Sequence, residues 1–354
     1  MPLSTARSLF PGAMGPDGFI SCFDHLIPEN QLRRMIILKG GPGVGKSTFM
    51  RRVHAALGSD TPSTLYFCSG DPDSLDAVSI PDKGLLILDG TAPHIVDPKI
   101  PGARDSIINL GECLDEAAMR PRLPHIRACM DDHAVCTRRA RACLEAACSH
   151  SRDNAAIIAA AMDRTKLARL TAALVSAVLC EPCSPTGTPA VRPVITDAVT
   201  PKGELCLLAA PEDWRVIRLA GHAAADATDA LRAVSRAAVA AGCDVEEHLC
   251  PYIPGRLLHI GIPALRTLVT TGDRLASEQT FDLSACLPQS SLLRHECALE
   301  QGMTSARLAL RHAAGALAQA KQLHDELETF YVPHMDFARW QTRLDAFLQS
   351  ISAA

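Results

Sequence analysis

The sequence lacks any long hydrophobic run. Its longest apolar stretches, near 155–162 and 172–179, are far shorter than the roughly 20 apolar residues that a membrane-spanning helix needs. Residues 1–7 contain no apolar core of the kind that a signal peptide requires. We therefore expect a protein that does not enter the membrane and that is cytoplasmic.

The chain also lacks an excess of positive charge. It carries 35 lysines and arginines against 39 aspartates and glutamates, for a net charge of −4. This balance gives no clear signature of a surface that binds nucleic acid. At 354 residues, the length predicts two domains.

A disulfide framework and a zinc site are both disfavoured. The 14 cysteines occur in a long chain without an export signal, and most lie singly in apolar segments, so we interpret them as small core residues. Cys180 and Cys183 form a lone C-x-x-C pair. A zinc site would need two further ligands, and no second C-x-x-C or histidine pair supplies them.

The most informative segment present is a glycine loop, which we define as residues 40–47. Gly40, Gly45, Lys46 and Ser47 fit every fixed position of the phosphate-binding pattern G-x-x-x-x-G-K-[ST]. Residues 35–38 before it predict a buried strand, and residues 49–57 after it predict a helix. This strand–loop–helix context makes the pattern specific.

The loop predicts binding of ATP with Mg²⁺. Its backbone N–H groups would surround phosphate oxygens, Lys46 would reach the β- and γ-phosphates, and Ser47 would hold the metal. The residues that we expect to bind the nucleotide are Gly41, Pro42, Gly43, Val44, Gly45, Lys46, Ser47 and Thr48.

A second metal ligand is predicted further along the chain. Residues 85–88 form an apolar strand that ends at Asp89, in the position of a Walker B aspartate. The carboxyl ends of such strands are where ligands bind in open α/β sheets. We expect Asp89 to contact Mg²⁺ directly or through water and to act with Lys46 in catalysis.

The residue that activates water is less clear, because no glutamate follows Asp89. Among the acidic and histidine side chains nearby, we take Asp73, Asp76 and His94 as candidate catalytic residues, with Asp71 and Asp97 as further alternatives. Residues 70–76 read as an acidic loop. Turn formation and helix capping are the ordinary explanations for such aspartates.

The chain contains an internal duplication. Gly40 and Gly221 lie 181 residues apart, and after one inserted residue Cys68 and Gly90 match Cys250 and Gly272. In the second copy Ala227 stands at the lysine position and Asp226 at the last glycine position. Thr271 aligns with Asp89. We therefore predict that the second copy keeps the fold but not the nucleotide chemistry.

The remaining segments, 107–179 and 294–348, predict long helices. His324 and Glu328 are four residues apart on one helix face, a spacing that can hold a metal. No third ligand accompanies them, so we interpret them as an ordinary surface pair.

The sequence resembles a poorly characterised bacterial family of tandem P-loop ATPases. The resemblance lies in Leu38 to Thr48, Cys68 to Asp76, Leu88 to Pro98 and His334 to Phe337. Members of that family usually have two P-loop halves, each with a glycine–lysine loop. This chain departs from the pattern at Ala227. The resemblance implies ATP binding and hydrolysis, and it names no substrate.

We therefore predict an α/β protein with two tandem P-loop NTPase-like, parallel-sheet domains, each with a helical extension. Residues 1–180 would form the active domain, 181–191 a linker, and 192–354 the degenerate domain. The expected function is Mg²⁺-dependent ATP hydrolysis coupled to conformational change or to an unknown protein partner. Two alternatives remain open: a P-loop kinase acting on a small acceptor, and a nucleotide-sensing module with little turnover.

Overall fold

The computed structural model describes residues 6–182, 188–222 and 225–352. In these ranges no helix combines the length and the apolar character needed to cross a bilayer. Part of the expected linker (183–187, including Cys183) and residues 223–224 of the second loop lie outside the described residues. We call residues 6–182 the first half and residues 188–352 the second half.

Eight strands and four α-helices make up the described first half. The strands are β1 Ala6–Leu9, β2 Gly12–Gly15, β3 Gly18–Ser21, β4 Arg34–Lys39, β5 Ser63–Phe67, β6 Leu75–Ile80, β7 Leu85–Asp89 and β8 Asp105–Asn109. The helices are α1 Lys46–Leu57, α2 Glu116–Met119, α3 Leu123–Ala161 and α4 Arg164–Val178. The predicted strands before and after the glycine loop and the predicted helix are thus present.

The first sheet is mixed, so the prediction of a parallel sheet is wrong. Its strand order is β1-β5-β6-β7-β4-β8, and β6 runs antiparallel to both β5 and β7. The reason is the length of the connections. Only residues 68–74 join β5 to β6, and only 81–84 join β6 to β7. Parallel neighbours need a crossover of a dozen or more residues.

The described second half repeats this succession. Its strands are β9 Val191–Val194, β10 Asp197–Thr200, β11 Gly203–Cys206, β12 Arg215–Ala220, β13 Val245–Leu249, β14 Leu257–Ile262, β15 Thr267–Thr270 and β16 Gln279–Asp282. Its helices are α5 Thr228–Ala240, α6 Gln289–Leu292, α7 Glu296–Tyr331 and α8 Phe337–Ser352. The sheet order β16-β12-β15-β14-β13-β9 is the first sheet's order read backwards, element for element.

The two halves are related by an approximate two-fold axis. Phe10 and its counterpart Ile195 meet in an antiparallel bridge. Asp336 N donates to Cys113 O, and Asp163 N donates to Cys286 O, each at a distance of 2.8 Å. The two donors are 173 positions apart in the chain, and so are the two acceptors, so the two bonds are equivalent. Each bond crosses between the halves.

The last helix of each half packs on the other half. The long helices α3 and α7 pack antiparallel, because Cys129 contacts Leu323 whereas Asn154 contacts Leu299. Beyond them, Leu174 and Val178 of α4 join the core around α5, and Trp340, Leu344 and Phe347 of α8 join the core around α1. The predicted division of the chain into two domains at 181–191 stays a prediction. Helices α4 and α8 each pack on the core that lies on the other side of that division.

Candidate functional site

The glycine loop leaves the carboxyl end of β4 and closes on the first turn of α1. Gly40, Gly43 and Gly45 all have positive φ angles, of 145°, 69° and 84°. A Cβ atom at Gly40 would lie 2.6 Å from the Val44 side chain, so the turn admits only glycine there. The glycines of the pattern are therefore required by the backbone path.

Lys46 folds back over the loop that precedes it. Its Nζ donates to the carbonyl oxygens of Gly40 and Gly41 at 2.8 and 2.9 Å. The same ammonium lies 3.5 Å from Asp89 Oδ2, and both side chains are only 13% exposed. The structure thus brings the predicted lysine and the predicted aspartate together as a shielded ion pair.

Three backbone N–H groups of the glycine loop make no hydrogen bond within the part of the chain that the structure describes. Among the described residues, none accepts a hydrogen bond from the N–H of Gly41, Val44 or Gly45. These groups surround the positive end of the α1 dipole. An anion is the ligand that such a group of donors favours.

Ser47 ties the loop to a neighbouring strand. Its Oγ accepts a hydrogen bond of 2.9 Å from the N–H of Leu75, the first residue of β6. The hydroxyl proton and a lone pair remain for another partner. Thr48 is exposed, and Pro42 is partly buried within the turn.

Asp89 ends β7 beside the glycine loop, as the strand pattern predicts. It is 9% exposed, and its Oδ1 accepts from the N–H of Thr91 at 2.9 Å and from the Thr91 hydroxyl. Because Thr91 holds one carboxylate oxygen, the other faces Lys46 in a fixed orientation.

Asp76 and His94 form a second buried pair beside Asp89. Asp76 lies in strand β6 and not in a loop as predicted, because the chain turns back at 68–74. His94 Nε2 is 3.7 Å from Asp76 Oδ2, and His94 Nδ1 donates to the Asp89 carbonyl over 3.0 Å. The His94 ring stacks on Phe23 at 4.5 Å.

Asp76 is suited to hold or release a proton near neutral pH. Burial raises the pKa of Asp76 to about 6, against the opposing influence of His94, and the Asp89 charge adds to the rise. Since Nδ1 of His94 donates to the Asp89 carbonyl, Nε2 is the ring nitrogen that faces the Asp76 carboxyl group. A buried acid that titrates near neutrality, next to a lysine and a second carboxylate, marks a candidate functional site.

Asp73 is not brought to this group. Its side chain is 76% exposed and pairs with Lys202 of the second half at 2.7 Å. Asp71 accepts a hydrogen bond from the Ser74 hydroxyl, and Asp97 accepts one from the Lys39 ammonium. Of the three candidate catalytic residues beyond Lys46 and Asp89, the structure therefore places Asp76 and His94 at the loop and leaves Asp73 at the surface.

The second half keeps the strand and helix positions of the site but not the residues of the phosphate-binding pattern. Thr228 Oγ1 accepts from Leu257 N at 3.0 Å, as Ser47 accepts from Leu75. At the start of α5, however, Asp226 Oδ1 accepts from Thr228 N at 2.9 Å, and Arg256 lies 3.5 Å from the same carboxylate. A carboxylate of the protein itself therefore lies at the helix terminus where the first half offers free N–H groups.

The sequence did not reveal that the second half covers the glycine loop. A Cβ atom at Gly41 would lie 3.1 Å from the Tyr331 ring, and one at Gly45 would lie 3.1 Å from Trp340 Nε1. These residues lie at the end of α7 and the start of α8. Glu328 forms the exposed pair with His324 that the sequence predicts, at 3.7 Å, and its Cβ also lies against Gly43. No local pattern could have shown either, because the contacts cross the approximate two-fold axis.

Asp76→Asn should stabilise the protein at neutral pH. The folded-state pKa lies above the ordinary 3.8, so the stability that Asp76 contributes is complete below pH 4 and is lost as pH rises through about 6. Asparagine mimics the protonated form. We expect a gain of about 3 kcal/mol at pH 7.5 that largely disappears near pH 4, measured by urea unfolding. The exposed Asp60→Asn is the control, and a gain independent of pH would contradict the assignment.

Among the described residues, no group of three or more histidine, cysteine, aspartate or glutamate side chains is arranged to hold a metal ion. No protein-family model matches the chain, and comparisons with curated proteins and with solved structures give no significant match. The site must therefore be interpreted from its own geometry.

Proposed function

We propose that the first half is a P-loop domain that binds and hydrolyses Mg-ATP. The observation that carries the proposal is the glycine loop itself. Among the described residues the N–H groups of Gly41, Val44 and Gly45 have no hydrogen-bond acceptor. The next residue, Lys46, forms a shielded ion pair of 3.5 Å with Asp89. An ammonium and a group of backbone N–H donors in one loop are both complementary to phosphate.

The residues present suit a nucleotide-bound Mg²⁺. Mg²⁺ in such sites takes one or two protein oxygens and completes its shell with phosphate oxygens and water. The Ser47 hydroxyl keeps a lone pair after accepting from Leu75, and Asp89 keeps the oxygen that faces Lys46. When bound there, the metal would neutralise charge on the β- and γ-phosphate oxygens.

Lys46 would exchange partners when ATP binds. It now donates to two loop carbonyls that are weaker acceptors than a phosphate oxygen. Transfer of the ammonium to the phosphates would free Asp89 Oδ2 from its ion pair. The loop is therefore preorganised for an anion, and its present lysine contacts are replaceable.

Asp76 and His94 supply the proton chemistry in this proposal. In hydrolysis, water attacks the γ-phosphorus atom, the bond to the ADP oxygen breaks, and the water loses a proton. A carboxylate with a pKa of about 6 accepts that proton at neutral pH. His94 is the positioning partner, because it is fixed by the Asp89 carbonyl and by Phe23.

The test is the rate of phosphate release from Mg-ATP without an added acceptor. Asp89→Asn keeps the size of the side chain but removes its charge, so we expect turnover to fall by about 100-fold while ATP affinity changes by less than about tenfold. Asp82→Asn, at an exposed position, is the matched control. An unchanged rate and Mg²⁺ dependence in Asp89→Asn would contradict the metal role. Release that requires a small acceptor would favour the kinase alternative.

A further inference from the structure

The corner between α7 and α8 lies directly on the glycine loop. We define the α7–α8 corner as residues 328–340. A Cβ atom at Gly43 would lie 2.8 Å from Val332 Cγ2 and 3.4 Å from Glu328 Cβ. With Tyr331 over Gly41 and Trp340 over Gly45, the corner contacts all three of these glycines. A segment of the second half therefore closes the face from which phosphate would enter.

Glu328 places a negative charge against this closed loop. His324, whose Nε2 is 3.7 Å from Glu328 Oε1, lowers the pKa of Glu328, and the Gly43 N–H and Lys321 act in the same direction despite partial burial. The carboxylate is therefore ionised at neutral pH and faces a backbone donor of the loop. Its charge and its partner are those expected of a bound phosphate oxygen.

The equivalent positions on α3, the counterpart of α7 in the first half, lack this charge. With the 173-residue spacing between α3 and α7, Glu328 corresponds to Ala155 and Lys321 to Cys148. Lys321 Nζ lies 3.6 Å from Asp71 Oδ2, whereas Cys148 packs with Ile253, the counterpart of Asp71. The charged contacts of α7 thus accompany the loop that keeps its lysine, and α3 has no counterparts of them where the loop has lost it.

Trp340 gives a second sign that the closed arrangement is replaceable. Its indole Nε1 is buried and has no hydrogen-bond partner among the described residues. An unsatisfied buried donor costs about 1–3 kcal/mol. Trp340 lies against Gly45, so the cost arises at the loop, and a rearrangement of the corner would relieve it.

We propose that the α7–α8 corner is a latch: Glu328 occupies the phosphate position of the glycine loop in the nucleotide-free protein, and the phosphates of ATP displace it and move the corner. This inference rests on the proposed function, because it needs a nucleotide to bind. Displacement would act on α7, which belongs to the second half and packs along α3 of the first half. The latch thus supplies a physical route by which nucleotide binding in one half alters the other.

The latch predicts that removing the internal competitor tightens ATP binding. A protein that must open before it binds has an apparent affinity reduced by the fraction that is open. Glu328→Gln keeps the shape and removes the charge, so we expect the ATP dissociation constant to fall by about tenfold. Glu326→Gln makes the same change on an exposed position of the same helix and should leave affinity unchanged. Isothermal titration with Mg-ATP measures all three proteins.

Trp340 reports the movement independently. In a Trp214→Phe background it is the sole tryptophan. We expect saturating ATP to shift its emission, and Lys46→Ala to abolish the shift. Equal ATP affinity in wild type, Glu328→Gln and Glu326→Gln, or weaker binding by Glu328→Gln, would overturn the latch and leave the proposed function intact. Unaltered Trp340 emission at saturating ATP would do the same. Failure of all variants to bind ATP would overturn both proposals.

Discussion

Lys46→Ala should abolish ATP binding at micromolar concentrations and remove turnover, while the protein stays folded. The ammonium is the only charge that the glycine loop itself offers to phosphate, and losing a charge-assisted contact of this kind costs at least about 2.7 kcal/mol, or 100-fold in affinity. The fold should survive because, among the described residues, the polar contacts of the Lys46 side chain are two loop carbonyls and Asp89. Titration calorimetry and circular dichroism measure the two results.

The same titration counts the sites. Wild-type protein should bind one ATP per chain, because Asp226 and Arg256 fill the equivalent helix terminus in the second half. Lys83→Ala, which removes an exposed lysine of the first half, is the control for charge alone. A stoichiometry of two, or binding that persists in Lys46→Ala, would show that nucleotide binds outside the loop we describe.

The sequence could predict what local chemistry determines. The strand before the glycine loop is an uninterrupted apolar run, its loop glycines are demanded by positive φ angles, and the helix follows without a breaker. Asp89 was placed correctly at the end of β7 because a buried strand that ends in a carboxylate is unusual without a partner. These features need no knowledge of distant residues.

The strands β6 and β8 could not be predicted in this way. Residues 75–80 contain Asp76 and Ser79 and follow a turn-rich segment, so the pattern resembles a loop more than a central strand. The structure buries all six residues, and Asp76 is retained there with a raised pKa. Residues 105–109 likewise form the edge strand β8, although the helical composition of 107–179 favoured a helix there.

The contacts of the second half with the glycine loop were beyond sequence reasoning for a different reason. An amphipathic helix shows that one of its faces is buried, but not which surface covers it. Helix α8 is 280 residues distant from the helix α1 that it covers, and Glu328 has only an ordinary i,i+4 partner in the sequence. The internal duplication is the one feature of the sequence that is compatible with these contacts. Two similar halves can exchange their last helices in a symmetric way.

Because helix α8 packs on the first half, we expect a substitution in α8 to destabilise the first half. Phe347 is 6% exposed, and its ring lies 5.6 Å from that of Phe49 in α1. Removing a buried phenylalanine side chain costs about 3–5 kcal/mol. We therefore expect Phe347→Ala to lower the free energy of unfolding by about that amount and to loosen α1 first. Urea unfolding and amide hydrogen exchange measure the two effects.

Two variants make this test specific. Phe337→Ala alters the same helix at a residue that is 52% exposed, so it should cost less than about 1 kcal/mol. Leu174→Ala alters the position equivalent to Phe347, within α4, and should loosen α5 instead of α1. If Phe347→Ala lowered protection in the second sheet and left α1 unchanged, the helices would not stabilise opposite halves in solution. If each variant loosens the half that its helix covers, the glycine loop depends on residues from both ends of the chain for its stability.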